Sequence, residues 1–96
     1  MKNSAAPPPC CAVFIKDISN AVCLLTRMAS DKKAFNVSIY EEKTGFFVLT
    51  EANIIYLGDY GSICVGASAY INEHFKPVCR DIPPSEAIKI FKEKIK

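Results

Sequence analysis

Ninety-six residues, half of them hydrophobic and 23% charged, suit one domain with a thin core and exclude a disordered chain. Twelve basic residues against ten acidic ones give a net charge of +2, well short of the excess that marks nucleic-acid binding by charge alone. No apolar run approaches the roughly 18 residues of a membrane span, and no apolar stretch follows Lys2 as in a secretion signal, so a cytoplasmic protein with reduced cysteines is expected.

Residues 1–9, MKNSAAPPP, are small, polar and proline-rich and predict a flexible tail, leaving a single domain over 10–96. CCAVFIK, 10–16, reads as a buried strand. Alternation sends Cys11, Val13 and Ile15 to the core and Cys10, Ala12 and Phe14 to the other face. Asp17 is placed to cap a helix whose apolar stripe is Ile18, Ala21, Val22, Leu25, Met28 and Ala29.

FNVSIYEE, 35–42, alternates as a half-buried strand, with Phe35, Val37 and Ile39 on one side and Tyr40 on the other. The turn EKTG, 42–45, leads back into FFVLT, 46–50, as a hairpin. NIIYLG, 53–58, and SICVG, 62–66, predict two more short strands around GDYGS. The next stretch fits either an alternating strand or a helix, and its alanine and glutamate favour a helix over 67–75, ended by Pro77. PVCRDI is a candidate last strand. Pro84 and Ser85 then open a C-terminal helix with Ala87, Ile88, Phe91 and Ile95 inward.

Hairpins mixed with one-sided helices predict an α+β fold, a mostly antiparallel sheet with helices packed on one face. The leading topology is a ferredoxin-like βαββαβ sandwich with a C-terminal helix added.

The five cysteines, at 10, 11, 23, 64 and 79, contain no C-x-x-C pair, and Cys23 and Cys64 read as small core hydrophobes. Cys10, Cys11, His74 and Cys79 have the donor types of a zinc site, but neighbouring strand residues point to opposite faces and do not converge on one ion. His74 is the one histidine, and a Cys64–His74 pair has no marked acid to orient its ring. Glycines 45, 58, 61 and 66 sit at turns or strand ends, and none forms a phosphate-binding loop. No catalytic residue, metal or cofactor is therefore expected, and the chain reads as a non-enzyme. Residues 76–96 carry six basic side chains against three acidic, a net of +3, which fits a solvated helix face.

The aromatic residues are more informative. Tyr40 falls opposite Val37 and Ile39, and Phe46 and Phe47 fall one on each side of the sheet. With helices on one side only, the other side exposes an apolar patch of the kind that meets a partner. VFIKDI, 13–18, resembles the opening strand of RNA-recognition motif domains, and KTGFFVLT, 43–50, is similar to their third strand, the likeness covering about 14 residues. It implies an RNA partner, with Phe14 and Phe46 stacking on bases, Tyr40 beside them and Lys43 near phosphate. The family's aromatics are spaced, whereas Phe46 and Phe47 are adjacent.

The leading expectation is a small protein-binding domain, an adaptor or inhibitor of the type phages and plasmids encode. It would act through an exposed sheet face carrying Phe14, Tyr40, Lys43 and Phe46, with self-pairing through the sheet as a further arrangement and no membrane partner. The alternative is an RNA-binding domain resembling an RNA-recognition motif. A thiol or zinc-binding protein is third.

Overall fold

In a computed structural model the described residues are 11–31, 36–50, 54–65 and 68–95. The predicted tail, Cys10 and Phe35 lie outside them, as do the side chains of Cys11 and Ile95. The elements are β1 (Cys11–Ile15), α1 (Ile18–Ser30), β2 (Val37–Glu42), β3 (Gly45–Thr50), a 3-10 turn (Leu57–Asp59), β4 (Ser62–Val65), α2 (Ser68–His74), β5 (Lys76–Ile82) and α3 (Pro84–Ile95).

Asp17 caps α1 as its sequence position requires: its backbone is extended and its carboxylate accepts from the Ser19 N–H at 2.9 Å. The buried residues of α1 are Ala21, Leu24, Leu25 and Met28, while Ala29 is exposed. The stripe is thus turned toward Leu24, because α1 packs against α3 as well as against the sheet.

The sheet has the order β4-β1-β3-β2-β5, and every pairing is antiparallel. In the β2–β3 turn, Glu42 accepts from both the backbone N–H and the hydroxyl of Thr44, at 3.2 and 2.8 Å. The first four strands fall in ferredoxin-like order, but the plan as a whole differs in two ways. Among the described residues no α-helix, only the 3-10 turn, lies between β3 and β4, and a fifth strand is added beside β2. The strand expected over 53–58 is not formed in its described part: Ile54 and Leu57 are buried three residues apart, the spacing of a helical turn, while Ile55 is 92% exposed.

The class is α+β, yet the helices are not confined to one face. One face, lined by Val13, Ile15, Val37, Ile39, Phe46 and Val48, is covered by α1 and α3. The other, with Ala12, Tyr40 and Leu49, is covered by Ile71 of α2, with Phe47, Cys64 and Phe75 around them. The reason is visible in β3, where Phe46 and Val48 alternate with Phe47 and Leu49, so both faces of a central strand need cover.

Two glycines allow close packing around the end of β1. A Cβ on Gly45 would overlap the Ile15 carbonyl, and one on Gly61 would overlap the carbonyl of Phe14. Among the described residues, no helix is long and apolar enough to cross a membrane.

Candidate functional site

A ladder of rings climbs from the sheet to α2. Phe14 and Phe47 are cross-strand partners on β1 and β3, and their ring centroids lie 4.9 Å apart. Phe47 meets Phe75 at 5.1 Å, and Phe75 meets Tyr70 edge-on at 6.1 Å. Tyr70 and His74 stand one helical turn apart and stack at 4.1 Å with their planes 16° from parallel. The His74 Nδ1 lies 3.0 Å from the Tyr70 carbonyl oxygen, which can only accept, so Nδ1 carries the proton in this arrangement. Tyr70 is 59% exposed and Phe14, Phe47 and Phe75 are half-buried. The ladder thus runs from half-buried rings to an exposed one.

Beside its outer end lies an open depression lined by Glu41, Glu42, Lys43, His74, Phe75 and Lys76. Its rim mixes both signs of charge. The Thr44 hydroxyl, helped by the backbone N–H groups of Thr44 and Lys43, holds the Glu42 carboxyl below the usual range, so Glu42 is a fixed negative charge near neutrality.

The residues expected to form a site are only partly brought together. Phe14 belongs to the ladder, and Lys43 is exposed at the depression. Tyr40 is 1% exposed: α2 lies over it, its hydroxyl donates to Asn72 Oδ1, and the Arg80 guanidinium sits 5.8 Å from its ring centre. Phe46 is 8% exposed and points to the opposite face, where it meets Phe91 edge-on at 5.0 Å. The open sheet face is therefore corrected to a face capped by α2, and Phe47 takes the place assigned to Phe46. Strand alternation decides this, since Phe14 pairs with Phe47 while Phe46 pairs with Ile15. Tyr70, His74 and Phe75 were not among the expected residues. Their signal was present as an aromatic i, i+4 pair in YINEHF, next to the buried Ile71.

Cys23, Cys64 and Cys79 are free thiols. Cys23 faces outward from α1, correcting its expected place in the core, while Cys64 packs partly against the α2-side cluster. Cys79 packs partly against the main core, and burial pushes its thiol up, with a smaller opposing effect from the Ile39 backbone hydrogen bond. Among the described residues no group of three or more His, Cys, Asp and Glu side chains could hold a metal ion.

A second polar cluster is architectural. Arg27 pairs with Asp59 at 3.3 Å and lies 4.1 Å over the Tyr56 ring, whose hydroxyl reaches Asp31 at 3.5 Å. These contacts pin the 3-10 segment to α1.

Compared with protein-family models, curated proteins and solved structures, the chain has no match.

Proposed function

We propose that this chain is a non-catalytic domain that binds another protein, as an adaptor or inhibitor, through the outer face of α2 and the depression beside it. The observation that carries this reading is Tyr70, a large exposed ring already held flat on His74. Exposed aromatics that need little ordering make efficient anchors, because their rotamer entropy is lost before binding rather than during it. The mixed rim of Glu41, Glu42, Lys43 and Lys76 suits the polar edge of a protein interface better than a groove for phosphates, which favours one sign. A cytoplasmic location with reduced thiols belongs to the same reading.

A photoreactive phenylalanine analogue at position 70, used in the cell of origin, tests it. Discrete protein adducts are expected there, and none from the same probe at Ser19, exposed on α1. Equal adducts from both positions, or none from position 70, would remove this surface from consideration.

One observation favours RNA as a second reading: Phe14 and Phe47 sit ring to ring on adjacent central strands, as base-stacking residues must. Phe75 and α2 crowd that pair, so a titration with single-stranded oligouridylate at moderate salt is expected to show no appreciable affinity. Tight, salt-sensitive binding lost in both Phe14→Ala and Phe47→Ala would put RNA first.

A further inference from the structure

The two edges of the sheet are built differently. β5 carries Lys76, Pro77, Arg80 and Asp81, its pairing with β2 shifts register twice, and Asp81 has a φ of 51°. Charge, proline and bulges are the devices that stop an edge from pairing with another strand. β4, Ser62–Val65, is guarded by its shortness alone: it has no charge, no proline and an unbroken register against β1. Ile63 is 48% exposed, and Ile55, in the turn before the 3-10 segment that packs on β4, is 92% exposed. Among the described residues no strand pairs with the outer side of β4.

We propose that β4 is a self-association edge: two copies pair β4 against β4, antiparallel about a two-fold axis, and join their sheets. The occupant is a second copy because an uncharged strand paired with itself brings no like charges together, and antiparallel pairing is what a two-fold axis imposes on identical edges. β5 of another molecule does not serve, since its proline and bulges break the ladder. Four residues give a small interface, so the dimer is weak and concentration-dependent. This association is independent of the α2 surface proposed above.

Sedimentation over a concentration series, from low to high micromolar, tests it with Ile63→Lys and Ile63→Glu. Near the axis, position 63 of one copy lies within diagonal reach of position 63 of the other, so each variant alone places like charges together. Each should move the dimer midpoint to at least about tenfold higher concentration, with the dilute protein still melting in one cooperative step. Mixed in equal amounts, the two should associate again, because opposite charges then meet. Amide exchange of wild-type β4 should also slow as concentration rises, a measurement that needs no variant. A wild-type chain monomeric throughout, or a dimer untouched by both substitutions, overturns the proposal.

Discussion

The Tyr40 hydroxyl, on a ring buried in the sheet, donates to the side-chain oxygen of Asn72 on α2, and with Ile71 it fixes that helix to the sheet face. Tyr40→Phe keeps the ring and removes the bond. Its expected cost is about 0.5–1.5 kcal/mol, the net worth of a hydrogen bond whose other partner can return to water. Ile71→Ala should cost more, about 2–5 kcal/mol, through lost burial and a cavity. Urea unfolding gives both values, and amide exchange should show α2 opening faster while α1 is unaffected. An α2 unchanged in exchange after Ile71→Ala would mean that other contacts hold it.

On the opposite face, Phe91 is buried edge-on against Phe46. Phe91→Ala is expected to remove about 3–5 kcal/mol, much of the stability a domain of this size has. A melting temperature left where it was would show α3 to be peripheral.

Asp81 pairs backbone strain with local hydrogen bonds. At its φ of 51°, it receives Asn36 Nδ2 on both its carbonyl and its carboxylate at 3.3 Å, and its N–H donates to Ser38 Oγ at 2.9 Å. Asp81→Ala retains the left-handed backbone without the carboxylate acceptor and should destabilise by about 1–2 kcal/mol. Asp81→Gly also loses the acceptor but relieves the strain, so it should be the milder change. If glycine proves worse than alanine in urea unfolding, strain is not the governing term at this bulge.

Burial raises the Cys79 thiol above its ordinary value, which fixes the sign of a pH effect. Between the unfolded and folded values the native chain keeps a proton that the unfolded chain has lost. Stability therefore falls as pH rises through that alkaline window and is unaffected below it. Cys79→Ala should flatten this alkaline decline in a series of thermal melts. At mildly alkaline pH a thiol reagent should modify exposed Cys23 well before Cys79.

The fold class, α1 with its Asp17 cap, the β2–β3 hairpin and α3 were legible because each rests on neighbours in sequence: a cap immediately before an apolar stripe, or two alternating runs around a glycine turn. The second cover of the sheet was not. Phe47 and Leu49 show that β3 is apolar on both sides, but whether α2 or a partner covers them depends on tertiary packing that periodicity does not encode. The same limit misplaced Tyr40 as an open contact and Ile54 to Leu57 as a strand. Lys43 was identifiable as exposed from its turn alone, whereas the stacking of Tyr70 on His74 needed the helix to be assigned first.

The strand order also sets a sequence of folding events. β1 is the first strand among the described residues, yet both of its neighbours come late: Phe14 pairs with Phe47 on one side and with Ser62 on the other. The β2–β3 hairpin closes over a two-residue turn and can form at once, whereas β1 must wait for loops of more than thirty and more than forty residues to close around it. The described part of the β3–β4 connection holds only the 3-10 turn, and Arg27, gripping Tyr56 and Asp59, ties that turn to α1 for this last closure. Refolding should therefore be limited by the arrival of β4, and Arg27→Ala should slow it more than it speeds unfolding.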